Sequence, residues 1–277
     1  MKLQSTMTAL SLNDKDVSGS SFYYPSGPHK VQGFIIRPKA EGKYPLIIYN
    51  RGGFKSFGSI RPEYIERNLV PIAKHGYVVA ASQYRGAGES EGKDEFGGAD
   101  VEDLIALHKQ VSEMPDIDAS RLGMVGWSRG AVMTFRAMLR LPSLKAVVVG
   151  GAPTDLAAQA EERPDMHKVF LEAFGSTPEK YEQGVRERSV LHWVDKLPKV
   201  PMLIMHGTSD WRVPATHSLR LAEALYKLQY PYRLIHFEGG DHGIWEYKLQ
   251  VERQMFGWLD RFVRDGEPLP NMQPHGK

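Results

Sequence analysis

The sequence predicts an α/β fold, with a mostly parallel central sheet of about eight strands covered by helices on both faces. Two features predict it: short apolar runs recur along the chain, and amphipathic stretches with helical spacing lie between them. The runs fall at 31–37, 44–49, 77–84, 122–127, 145–149, 201–205 and 232–237. Helical patterns fall at 62–74, 101–113, 131–139, 215–228 and 244–262, several of them ending near Gly or Pro, where helices stop.

With 277 residues, 42% hydrophobic and 25% charged, the chain has the composition of a globular protein and suits a single domain. Lys and Arg number 35 against 33 Asp and Glu, so no broad basic field attracts nucleic acid or anionic lipid, and neither is expected as a partner. Cysteine is absent, which removes disulfides, thiolate nucleophiles and Cys-ligated metal. Residues 1–16 lack the apolar stretch of a signal peptide, and no run approaches the ~20 apolar residues of a membrane span. A soluble, cytoplasmic protein is therefore expected.

Residues 153–197 interrupt the alternation, being polar and rich in Glu and Arg between two strands that need only a short connection. They are read as a helical cap insertion, the alternative being an ordinary surface excursion. Residues 266–277, with three prolines, are read as a flexible tail.

A Gly-x-Ser-x-Gly pattern occurs twice, so its surroundings must choose between the copies. Gly126-Trp127-Ser128-Arg129-Gly130 follows the apolar run Leu122-Gly123-Met124-Val125 and precedes the helical pattern from Ala131. That is the strand-turn-helix setting of the nucleophile elbow of an α/β-hydrolase. The hydroxyl then stands at a helix N-terminus, and the backbone N–H of Arg129 points at a developing oxyanion. Gly88-Glu89-Ser90-Glu91-Gly92 has no apolar helix after it, and two carboxylates beside Ser90 would oppose a negative transition state. It reads as a flexible polar loop.

In that fold the acid and then the histidine follow the nucleophile. Asp210 fits the acid, coming after the run Met202-Leu203-Ile204-Met205 and the turn His206-Gly207-Thr208-Ser209. Asp155 is the rival acid, although it equally suits a helix N-cap. His242, within Gly239-Gly240-Asp241-His242-Gly243, and the tail residue His275 are the histidines beyond the last strand pattern. His242 takes the base position, with Asp241 as a solvated or capping carboxylate, and His206 lies before the acid. Ser128 would attack, His242 would carry the proton and Asp210 would fix the imidazole tautomer. After the 44–49 run, Asn50-Arg51-Gly52-Gly53-Phe54 can supply the second oxyanion donor, Gly53 first and Phe54 next.

Several segments together resemble the catalytic domain of prolyl oligopeptidase-type serine peptidases and their single-domain esterase relatives. They are Tyr84-Arg85-Gly86-Ala87-Gly88-Glu89-Ser90, Gly97-Gly98-Ala99-Asp100-Val101-Glu102-Asp103-Leu104, the Ser128 elbow, Glu187-Arg188-Ser189, His206-Gly207-Thr208-Ser209-Asp210 through Val213-Pro214, and Gly240-Asp241-His242-Gly243. The resemblance implies a serine hydrolase with an acyl-enzyme intermediate. Two departures stand out. Arg51 replaces the family's histidine before Gly-Gly, so a positive charge is expected beside the site. Tyr44 also lies too near the start of the sequence for the family's β-propeller to precede it, so oligopeptide specificity does not carry over.

The leading expectation is hydrolysis of a carboxylic ester, with a peptidase or aminoacyl amidase as runner-up. A non-catalytic binding protein on the same fold and acyl transfer to another acceptor are further readings. The expected partner is a small ester or short peptide, and a homo-oligomer is compatible with the sequence. Arg51, Trp127 and Trp211 are candidate substrate contacts, with Trp127, Phe54, Phe170 and Trp211 as apolar walls. No metal or organic cofactor is indicated, because histidines and carboxylates do not cluster at ligand spacing.

Overall fold

The computed structural model describes residues 7–276. Residues 1–6 of the polar N-terminal stretch and Lys277 of the tail lie outside them. The strands, β1 to β9 in chain order, are Thr8–Ala9, Val17–Ser26, His29–Pro38, Tyr44–Asn50, Val78–Ser82, Ile117–Trp127, Leu144–Gly150, Met202–Gly207 and Tyr232–Phe237. They form one sheet in the order β1-β2-β3-β5-β4-β6-β7-β8-β9. From β5 to β9 every pairing is parallel, whereas β1, β2 and β3 join at one edge by antiparallel pairing.

The inner parallel strands are buried on both faces, which is why they read as continuous apolar runs, whereas edge strand β9 is half exposed. Their side chains divide by parity. Leu46, Ile48, Val147 and Val149 pack under helices α3 (Val101–Val111), α4 (Arg129–Met138) and α8 (Thr216–Lys227). Ile47, Tyr49, Ala146 and Val148 pack under α1 (Pro62–Tyr64), α2 (Val70–Lys74) and α9 (Lys248–Leu259) on the other face.

The sequence reading missed β1 and β2. In β2 the buried residues change face, Val17 joining one layer and Phe22 and Tyr24 the other, so four serines, a glycine and a proline leave no clean period of two. The expected helix 62–74 contains a π-helical turn at Ile65–Leu69. Pro71 has no N–H to give to the Arg67 carbonyl, and the wider turn just before it accommodates the proline ring.

Residues 153–197 hold α5 (Leu156–Glu162), α6 (Asp165–Phe174), α7 (Pro178–Arg188) and two 3-10 turns, Val190–His192 and Val194–Lys196. Leu156, Phe170, Ala173 and Val185 form a small core with Phe96 and Val132. Leu156 N–H donates to Ser189 Oγ (2.8 Å) within the segment, and buried His217 of α8 pairs with Glu162 (2.9 Å), which ties it to the main body.

Candidate active site

Ser128 sits between β6 and α4 at φ 58°, ψ −128°, a conformation that non-glycine residues adopt only where their surroundings enforce it. The enforcement is steric. A Cβ on Gly130 would lie 1.9 Å from Asn50 O, so α4 can approach the end of β4 this closely only with glycine there. Ser128 N–H donates to Gly150 O (2.8 Å), and Ser128 O accepts from Ala131 N–H (2.9 Å).

Asp210 follows β8 with its side chain fully buried. One carboxylate oxygen accepts the backbone N–H groups of Arg212 (2.9 Å) and Val213 (3.0 Å), and the other lies 2.7 Å from His242 Nδ1. His206 Nε2 stands 3.2 Å from that second oxygen and donates to Val213 O at 2.8 Å. Burial alone would raise the Asp210 pKa. The hydrogen bonds of His206 and His242, the His242 charge and the Val213 N–H outweigh it and hold the carboxyl well below the usual range. His242 is held from its other side as well, because Trp127 Nε1 donates to its carbonyl at 2.7 Å.

The rival residues have other attachments. Asp155 caps α5, accepting from Ala157 and Ala158 N–H. His206 is completely buried beneath Asp210. His275 is exposed, with Nδ1 on Gln273 O (2.7 Å). Asp241 accepts from Gly243 N–H (2.8 Å) and closes its own turn.

The glycine turn after β4 lies against the elbow, since a Cβ on Gly52 would be 3.8 Å from Ser128 Oγ. Gly53 has φ 81°, and a Cβ there would stand 2.0 Å from Phe57 O, so the turn requires glycine. The expectation for Arg51 needs correction. Its side chain is wholly buried and lines neither cavity at Ser128; its guanidinium is spent on the carbonyls of Gln83, Gly52 and Lys55. Burial and the nearby Arg129 charge push its pKa down to about 10, so it stays charged at neutral pH, as a brace of the turn.

Arg129 carries a second feature that the sequence reading missed. Its buried guanidinium donates to Gly53 O (2.9 Å), pairs with Asp94 (2.7 Å) and also bonds Asp100, linking the elbow to the glycine turn. Asp94 in turn accepts Lys55 N–H (2.8 Å). Asp100 lay in a segment that carried the family resemblance, but Asp94, between Lys93 and Glu95, looks like any solvated loop residue.

Two cavities open on either side of Ser128. One, of about 370 Å³, is bounded by Tyr64, Arg67, Trp127, His242 and Trp245. The other, of about 230 Å³, is bounded by Arg129, Phe54, Phe96, Met166 and Phe170. Of the residues named as apolar walls, Trp127 lines the first cavity and Phe54 and Phe170 the second. Trp211 lines neither cavity: it is 68% exposed, with the Arg163 and Arg212 guanidinium groups 5.1 and 5.3 Å from its ring. Arg212, which sequence reasoning did not single out, borders both cavities.

The model of the prolyl oligopeptidase family matches residues 63–266. An uncharacterized peptidase, YtmA, of Bacillus subtilis is 30% identical over 238 residues, covering 85% of this chain and 91% of that protein. A probable dipeptidyl-peptidase 5 of Aspergillus terreus is 27% identical across 94% of this chain, which spans only 37% of that relative. Among solved structures, Pyrococcus horikoshii acylaminoacyl peptidase superposes with a TM-score of 0.77 at 20% identity, over 96% of this chain and 43% of that one, a likeness of fold.

Proposed function

Because this chain belongs to the prolyl oligopeptidase family and is a serine hydrolase, we propose that it is a serine peptidase acting on short peptides through Ser128, His242 and Asp210. The observation that carries the reading is the 2.7 Å contact of His242 Nδ1 with the buried Asp210 carboxylate, beside a serine at positive φ that faces two cavities. The order of preference reached from sequence is reversed: relatives that match this chain are named peptidases, so ester cleavage takes second place.

Asp210 holds the imidazole with the proton on Nδ1, which leaves Nε2 free to take the Ser128 proton as Oγ attacks the carbonyl. The oxyanion is held by the N–H of Arg129, at the start of α4, and by that of Gly53 or Phe54. His242 then passes the proton to the leaving nitrogen, and water resolves the acyl-enzyme by the same route.

The deciding experiment combines fluorophosphonate labelling with paired substrates, aminoacyl nitroanilides and short peptides beside nitrophenyl esters. Labelling that is absent in Ser128→Ala, together with turnover of the amides, is the expected result. An enzyme that labels and cleaves esters but no amide or peptide would overturn the peptidase reading.

A further inference from the structure

We infer that the 370 Å³ cavity is the leaving-group subsite, shaped for a short aromatic or apolar peptide remainder whose free C-terminal carboxylate is bound by Arg67; this rests on the peptidase reading. The side follows from proton transfer, because the base that protonates the leaving nitrogen must lie beside it. The larger cavity touches Ser128 and the consecutive residues Asp241 to Trp245, whereas the smaller one touches Ser128 and Arg129 but no residue of the histidine loop. The leaving half of the substrate therefore enters the larger cavity, and the acyl half the smaller.

Its walls are Tyr64, Trp127, Trp245, Val251 and Met255, suited to an apolar side chain. Its volume is near the lower end of the ~300–1,000 Å³ usual for small-ligand sites, which limits the remainder to one or two residues. Arg67 stands at the rim on the π-helical turn, its guanidinium 4.6 Å over the Trp245 ring. That stacking fixes one face and leaves the in-plane N–H edge open, the geometry that grips a carboxylate with two hydrogen bonds. Among the described residues Arg67 forms no ion pair. The carboxylates at the same cavity have other contacts: Asp241 closes its own turn, and Glu252 lies 3.8 Å from Lys248. When the amide C–N bond breaks and the ester to Ser128 Oγ forms, the serine proton leaves through His242 on the departing amine, whose carboxylate remains on Arg67.

The test uses peptides with one acyl part and different remainders, ending in Phe as free acid, Phe as amide, or Gly as free acid. The free acid of Phe should exceed its amide by about tenfold in kcat/KM, as one charge-assisted pair implies. Arg67→Gln should bring that ratio near one, with Arg67→Lys keeping part of it. Phe should also exceed Gly in the wild type. Peptide turnover with no carboxylate preference, or a preference that survives Arg67→Gln, overturns the subsite alone. If the labelled enzyme cleaves no peptide, the peptidase reading falls and the subsite with it.

Discussion

Gly126-Trp127-Ser128-Arg129-Gly130 and Gly88-Glu89-Ser90-Glu91-Gly92 share one pattern but live in opposite backbone settings. Ser128 is pinched between a strand and a helix at φ 58°, with its hydroxyl toward two cavities. Ser90 lies in a loop fastened along β3: its Oγ accepts Gln32 N–H (3.0 Å), and Glu91 N–H donates to Lys30 O (2.9 Å). Its hydroxyl is already employed by the backbone, so the loop is polar, as expected, but tied down. A serine in this pattern becomes a candidate nucleophile only where the fold strains its backbone and gives its oxygen no structural duty.

Substitutions test the contrast, beginning with the largest effect. Ser128→Ala should lower kcat by about 10⁶ and abolish covalent labelling, measured on folded protein. Asp210→Asn should cost about 10⁴ in kcat by releasing the wrong His242 tautomer. The depressed Asp210 pKa adds a pH signature. Its contribution to stability is present above the unfolded carboxylate pKa of ~3.9 and is lost as pH falls through the lower folded value. The difference in urea midpoint between wild type and Asp210→Asn should therefore shrink below about pH 4, and a constant difference would contradict this. Arg129→Met should destabilise by about 3–5 kcal/mol in urea titration, since it strands Asp94 and Asp100 in the interior. Ser90→Ala should cost about 1 kcal/mol and leave labelling intact. Loss of labelling there would erase the distinction between the two copies.

The seven apolar runs named from the sequence all became strands; for the inner ones, burial on two faces writes itself as continuous hydrophobicity, while edge strand β9 is only half buried. That Ser128, Asp210 and His242 follow strands β6, β8 and β9 was legible in the sequence, as the runs before them are apolar. What escaped depends on orientation. Arg51 was expected to face substrate because it stands where the family has histidine before Gly-Gly, yet Gln83 O, from a distant part of the chain, draws it inward. Trp211 adjoins the acid in sequence, but no periodicity in a loop tells which way a ring turns. With Gly53, the Arg129–Asp94–Asp100 group joins three separate segments, and no local pattern marks such a convergence.

The indole of Trp127 binds the histidine loop to the residue next to the nucleophile. Among the described residues, none from 153 to 197 hydrogen-bonds to Ser128, Asp210 or His242. The chemistry is thus anchored to the sheet, while α6 supplies a wall of the smaller cavity. Such a division leaves the shape of residues 153–197 free to change without disturbing the contacts among Trp127, Asp210 and His242.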